Sequence, residues 1–389
     1  MPAITAYLPA LIPVTSFILS SFISCVALNV SQRYRLYFLP AILLPAILSF
    51  TTLNYLAFLP LLNHLWGFVV IIYVIHITSV LYIEKWTLPN PKQWDLHAAY
   101  KIWGNPRLLN TPQEVPNAPR MQQQQNKLSR TAFVLRRLSK LLVYYLINTY
   151  LVSRIFPDAF KPFSIVEFAP DQEVYFRRLL LSQAPAVTVR ETLLRTIFAV
   201  RWIWANVIGI EYAHTGVAIL FAVILRWDEP HEWPPLFGSP LEAYSIRRFW
   251  GRFWHRIVYR PYTSYGVWAS RQVLRLSAGS AAEKVFVPAF VFLLSGLSHS
   301  MVTWQTGNRC SYWRDTRWFA LNFVAATGET VVGRWMRSTA KTSGWGTVWE
   351  GWRRNGVAKV LGFAWVLAFF FWSVPKWEYP KIYCVTMGM

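Results

Sequence analysis

Runs of roughly twenty apolar residues recur along this chain, separated by basic segments, and any fold must first accommodate them. A hydrocarbon core about 30 Å thick is crossed by about 20 residues of helix. Only helices and closed barrels satisfy their own backbone polar groups at that depth. Eight such runs are predicted, near 6–28, 36–56, 65–83, 135–156, 193–225, 285–303, 316–333 and 357–374. The expectation is an all-α fold: a polytopic transmembrane helical bundle of about eight spans, with 1–389 forming a single integral membrane domain.

Composition supports this and narrows the partners. Hydrophobic residues make up 54% of the chain and charged residues 15%, against about 25% charged in ordinary globular proteins. The 21 Trp suit membrane interfaces, where one ring edge is wet and the rest is apolar. A net charge of +21 suggests nucleic acid in a soluble chain. Here the basic residues alternate with spans, which disfavours nucleic acid and favours anionic lipid headgroups and cytosolic loops. Arg33 and Arg35 follow the first span, and 84–134 reads as an irregular cytosolic loop with prolines and the glutamine run 122–125. The stretch 226–284 reads as a cytosolic or interfacial segment, and 334–355 is also basic. Eight alternating spans place these basic segments in the cytosol and both termini in the lumen. The loop 304–315, with Arg309 and Arg314, goes against that pattern. The first apolar run has no basic residue before it and exceeds 20 residues, so it reads as a retained span and not as a cleaved signal. Cys25, Cys310 and Cys384 are far apart in sequence and read as isolated free thiols, with no metal-ligand spacing. No internal repeat is visible, which weighs against an inverted-repeat transporter.

Polar residues inside spans are costly and are functional candidates by default. His76 lies in the third span and reads as a satisfied structural histidine. Glu211 and His214 share a helical face; a di-iron site needs a second such pair and two more carboxylates, so a structural pair is expected. His299 lies in Phe292-Leu-Leu-Ser-Gly-Leu-Ser-His-Ser300, in the 285–303 span. The small Ser295, Gly296 and Ser298 beside it admit a close neighbour, whether a backbone or a substrate. Burial keeps an imidazole neutral, and a neutral imidazole can take a proton from a hydroxyl. A histidine that only bonds a neighbouring helix remains the alternative. A second constellation is Ser245-Ile-Arg-Arg-Phe-Trp-Gly-Arg-Phe-Trp-His-Arg256. Read as one helix, it aligns Arg248, Arg252, Arg256 and Arg260 every four residues and carries His255. Such a helix either anchors at the membrane surface, rings in lipid, or meets the phosphates of a soluble cofactor such as coenzyme A. No phosphate-binding glycine loop and no serine or cysteine nucleophile motif is evident.

The run Trp233-Pro-Pro-Leu-Phe-Gly-Ser-Pro-Leu-Glu-Ala-Tyr-Ser-Ile-Arg-Arg-Phe-Trp-Gly-Arg-Phe-Trp-His255 resembles the wax synthase-like branch of the membrane-bound O-acyltransferase family. Ser295-Gly-Leu-Ser-His299 is similar to that branch's span motif. Gly104-Asn-Pro-Arg-Leu-Leu-Asn-Thr111 is similar to a further element, and departs from it at Leu108, where glycine is usual. The resemblance implies that His299 and His255 are catalytic. His299 acts as general base and His255 positions the acceptor or stabilises the developing oxyanion. It assigns Arg248, Trp250, Arg252, Trp254, Arg256, Ser295 and Gly296 to substrate or coenzyme A binding. It implies no bound cofactor and no metal; acetyl-CoA, or another acyl-CoA, is the co-substrate, and an apolar alcohol entering from the bilayer is the acceptor. Fungal members that this chain resembles acetylate terpenoid or meroterpenoid hydroxyls, so that reaction is expected, in the endoplasmic reticulum membrane. A long-chain wax or sterol ester synthase is the alternative within the class, and a transporter or scaffold the alternative outside it.

Overall fold

A computed structural model describes residues 4–59, 61–89, 93–119, 128–152, 163–342 and 356–388. The glutamine run 122–125, the end of the predicted 135–156 span and the 343–355 part of the basic 334–355 stretch lie outside the described residues. The architecture is all-helical, with no β-strand among the described residues. In chain order the helices are α1 Leu11–Asn29, α2 Leu39–Thr51, α3 Leu62–Thr78, α4 Leu96–Trp103, α5 Arg130–Leu146 and α6 Tyr175–Leu181. There follow α7 Val189–Ile219, α8 Tyr259–Trp268, α9 Ala281–Gln305, α10 Arg314–Thr342 and α11 Val357–Met387.

Six stretches are long and apolar enough to cross a membrane by length and composition: Tyr7–Asn29, Gln32–Thr51, Leu62–Ile83, Val189–Ile224, Ala281–Gln305 and Val357–Met387. The chain is therefore an integral membrane protein of the helical class. The other two predicted spans, 135–156 and 316–333, fall on helices that do not meet that criterion among the described residues. Both runs carry charge: α5 has Arg136, Arg137 and Lys140, and α10 has Arg317 and Glu329.

The chain divides into two compact units, Met1–Pro116 with Arg256–Thr327, and Asn117–His255 with Gly328–Met389. In the first unit α1 packs along α2, and α8 packs on α9. Polar bonds tie the apolar helices together, as expected where lipid offers no competing partner. Tyr73 Oη lies 2.7 Å from both Ser20 Oγ and Ser24 Oγ, and Ser49 Oγ donates to the Pro13 carbonyl at 2.7 Å. The core of this unit runs from Ala27 and Leu28 through Ile42, Val70 and Ile77 to Ile102 and Leu108.

His76 has the partners expected of a structural histidine. Arg260 Nη2 donates to its Nδ1 at 2.7 Å. Arginine has no acceptor, so Nδ1 must accept and Nε2 carries the proton, which it donates to the Ile102 carbonyl at 2.9 Å. Arg260 also forms an ion pair with Glu84 and donates to the Pro106 carbonyl at 3.1 Å. This corrects the predicted stripe: Arg260 lies inside the first unit, not on a surface row facing phosphates. Burial pulls its guanidinium pKa down, and the Glu84 carboxylate opposes that shift.

The 104–111 element closes onto this network. Asn105 brackets Leu109, donating to its carbonyl at 3.0 Å and accepting from its amide at 2.9 Å. Leu108, which stands where the family pattern has glycine, is fully buried and has φ of +45°. A left-handed residue with a Cβ costs roughly 1–2 kcal/mol. Burying a leucine side chain returns about 1.5–3 kcal/mol, which explains how this position tolerates the departure.

In the second unit α7 packs on α11 and α5 on α7. Glu211 pairs with Lys140 at 2.9 Å, and His214 Nδ1 accepts from Arg137 Nη1 at 3.1 Å. The Glu-x-x-His pair therefore binds two cations of α5, so both groups have structural partners. Cys25 is a free thiol, but Cys310 and Cys384 are disulfide-bonded. The expectation of isolated free thiols fails for those two.

Candidate active site

His299 lies in the second half of α9, in the first unit, and its ring is partly exposed. Two rings hold it: Phe68 of α3 with centroids 4.5 Å apart, and Phe319 of α10 at 4.8 Å. The small residues beside it explain how those helices come so near. A Cβ on Gly296 would lie 2.6 Å from Thr316 Cα and 3.1 Å from Phe319 Cβ. Only glycine admits α10 at that distance, and α10 brings Phe319 with it. Ser295 Oγ is bonded to the Val291 carbonyl of its own helix at 2.8 Å. Ser300 Oγ lies 2.8 Å from Thr316 Oγ1, a second bond across the same helix pair. Of the two residues expected to meet substrate, Gly296 is therefore occupied in helix packing and Ser295 bonds to its own helix.

Tyr262 is a residue the sequence reading missed. Its Oη lies 2.8 Å from Ser298 Oγ, one residue before His299. The phenol is buried, and burial pushes its pKa up to about 12, so it stays protonated and keeps that bond at neutral pH. Nothing in the spacing of Tyr262 and Ser298 advertises the pairing.

His255 lies in the second unit, where the local structure departs from the expected helix. Ser245 caps a short helical turn, Ile246–Arg248, by accepting from the Arg248 amide at 3.2 Å. A π-helical turn, Phe249–Phe253, follows, and Trp254 is extended with ψ 150°. The Trp254 amide donates to the Phe249 carbonyl at 2.8 Å, five residues back. That i→i+5 step changes the helical register, and the extended Trp254 then ends the helix. So His255 is not on the helix, and the four arginines form no continuous stripe. The rings are not in lipid either: Phe249, Phe253 and Trp254 are buried. Trp202 gathers Phe249 at 5.9 Å, Trp250 at 6.3 Å and Trp254 at 5.3 Å.

The arginines have separate environments. Arg248 is ion-paired with Glu242 and stands 4.3 Å from the Tyr244 ring. Arg252 is 49% exposed and 3.9 Å from the same carboxylate. Arg256, in the first unit, is 4% exposed and stacked 3.8 Å over the Tyr259 ring. Of the three, only Arg252 offers an exposed guanidinium to a soluble anion.

The tryptophan–proline segment docks against the turn that leads to His255. The Gly238 amide donates to the Phe253 carbonyl at 2.8 Å, and Phe237 meets the His255 ring edge-on at 5.8 Å. A Cβ at Gly238 would collide with the Arg252 carbonyl. Gly238→Ala is therefore expected to lower the stability of the detergent-solubilised protein by about 2–3 kcal/mol, read as a fall in melting temperature. An unchanged melting temperature would mean that the segment does not dock here.

Among the described residues, six helices long and apolar enough to cross a membrane, one of them bearing His299, define an all-helical integral membrane protein. Residues 233–321 match the family model described as "Membrane bound O-acyl transferase family". The matched stretch contains both His255 and His299, so the resemblance read from the motifs is borne out. Among curated proteins, the chain is 32% identical to the acetyltransferase nanB of Aspergillus nanangensis, over 46% of this chain and 41% of that protein. It is 29% identical to the acetyltransferase ataH of Aspergillus terreus, over 43% and 52%. It is 26% identical to the acetyltransferase atnC of an Arthrinium species, over 74% and 62%. The chain thus spans about half the length of the first two relatives. No solved structure matches it.

Proposed function

We propose that this protein is a membrane O-acetyltransferase that moves the acetyl group of acetyl-CoA to a hydroxyl of a terpenoid or meroterpenoid alcohol, in the endoplasmic reticulum membrane. The observation that carries the reading is His299: a partly exposed imidazole in an apolar span, held between two rings, within the stretch that matches the acyltransferase family. The similarity to proteins named acetyltransferases favours the two-carbon donor over a long acyl chain.

In this reading the neutral imidazole of His299 takes the acceptor's hydroxyl proton as the oxygen attacks the thioester carbonyl. The C–O bond forms, the tetrahedral oxyanion collapses, and the C–S bond breaks. The departing thiolate takes the proton from the imidazolium, giving ester and free coenzyme A. The step needs no covalent acyl-enzyme. His255 positions the acceptor or stabilises the oxyanion. Gly296 contributes by seating α10, and with it Phe319, against His299. Trp250 and Trp254 contribute apolar ring surface in the second unit.

Arg252 is the arginine this reading assigns to the phosphates of coenzyme A. Arg252→Gln is expected to raise KM for acetyl-CoA about tenfold, as loss of one charge-assisted bond does, and to leave kcat nearly unchanged. An unchanged KM would remove Arg252 from the donor site.

The test of the whole reading is thiol release by membranes containing the protein, supplied with acetyl-CoA or palmitoyl-CoA and a panel of terpenoid, sterol and fatty alcohols. Release with acetyl-CoA and a terpenoid alcohol supports it. Release only with palmitoyl-CoA and fatty alcohols replaces it with wax synthesis. No release with any pair would sink the acyltransferase reading.

A further inference from the structure

A cleft of about 310 Å³ in the first unit is lined by Gln32, Arg33, Leu36, Leu81, Tyr82 and Lys85. It holds two cationic side chains and no carboxylate. The one carboxylate adjacent in sequence, Glu84, is taken up by Arg260 and by Ser79, whose Oγ donates to it at 2.7 Å. The acyltransfer reading makes no use of this place.

The cleft is built by its neighbours. Arg35 is buried and spends its guanidinium on three carbonyls: Val30 at 3.0 Å, Trp86 at 2.6 Å and Leu28 at 3.0 Å. Those bonds fix the connector between α1 and α2 against the end of α3. Gln32 Nε2 donates to the Lys85 carbonyl at 2.8 Å and closes one wall. Tyr82 Oη donates to the Arg35 carbonyl at 3.2 Å. Lys85 has φ of +52°, in the turn that leaves α3. With Arg35 engaged inside, Arg33 and Lys85 remain as the exposed cations.

Its depth identifies the occupant. One apolar span ends at Asn29, another begins at Gln32, and a third ends at Ile83. Arg33 and Lys85 therefore stand at the boundary of the hydrocarbon, where lipid phosphates lie. Tyr34, Leu36 and Tyr37 beside them are 47%, 65% and 79% exposed, apolar and amphipathic surface suited to that layer. Leu36, 65% exposed, gives the cleft an apolar side.

We propose that this cleft binds the phosphate headgroup of an anionic membrane lipid, with Arg33 and Lys85 on the phosphate and Leu36 against the start of an acyl chain. Each cation near an anionic surface contributes about a factor of five, so the pair should favour an anionic over a zwitterionic lipid by about 25-fold, and less at high salt.

The experiment uses the full chain in phosphatidylcholine nanodiscs, with spin-labelled phosphatidic acid and spin-labelled phosphatidylcholine as probes. Wild type should immobilise the phosphatidic acid probe preferentially. The Arg33→Gln, Lys85→Gln double variant should lose most of that preference while keeping its melting temperature. Equal preference in the two proteins would overturn the proposal. So would displacement of the probe by inorganic phosphate or adenosine 3′,5′-bisphosphate at millimolar concentration, since the site would then serve a soluble phosphate. If the double variant misfolds, Arg33→Lys, which keeps the charge, must retain the preference, and its loss would also count against the proposal.

Discussion

His299→Ala is expected to abolish ester formation while the chain still inserts and folds. A positioned general base contributes about 10²–10⁴-fold to rate, so thiol release with acetyl-CoA and the best acceptor should fall by at least that factor. The imidazole lies between the rings of Phe68 and Phe319, so alanine also leaves a void. His299→Gln fills most of that space and has no basic nitrogen; it should be as inactive as alanine and closer to wild type in melting temperature. A glutamine variant with wild-type turnover would make His299 a packing residue and end the mechanism. Tyr262→Phe separates orientation from chemistry. It removes only the bond to Ser298, so it should lower kcat by less than the loss of His299 and leave the pH profile in place.

The sequence made the helical membrane class legible because apolar run length is a local property, and six runs survive as long apolar helices. The two that do not, on α5 and α10, carry charges whose partners are distant in sequence. Arg137 meets His214 and Lys140 meets Glu211, pairs that no local window contains. His299 stood out as a polar group in an apolar run, whereas His255 came forward only through the family resemblance; both fall in the matched stretch, and their roles stay proposals. The basic stripe was misread for a different reason. Four-residue spacing implies a face only while the helix keeps its register, and the π turn at Phe249–Phe253 breaks it. What became of the arginines is a matter of packing: one is paired with Glu242, one is exposed, one is stacked on Tyr259 and one is buried with Glu84.

That last arginine carries the largest expected effect on stability. Arg260 joins three parts of the first unit: the Glu84 carboxylate just beyond α3, the His76 ring within α3, and the Pro106 carbonyl of the 104–111 element. Removing one partner of a buried ion pair leaves the other uncompensated, at a cost of about 3–5 kcal/mol. Arg260→Met should therefore cut the yield of folded protein and lower its melting temperature steeply. The methionine keeps much of the side-chain volume, so the loss would report charge and not a cavity. His76 Nδ1 would also lose its donor. The double variant Arg260→Met, Glu84→Gln should recover much of the loss, because a neutral amide is far cheaper to leave partly buried than a carboxylate. Arg260→Lys should recover less than half, since an ammonium cannot span the carboxylate, the ring nitrogen and the carbonyl in the planar fork geometry of a guanidinium. A methionine variant as stable as wild type would show that the network is not what holds the 104–111 element against α3. Because Arg260 lies two residues before Tyr262 in α8, the same loss should loosen the bond to Ser298. A marginally folded Arg260 variant should then lose turnover before it loses its helices, as measured by thiol release against far-ultraviolet dichroism on one preparation.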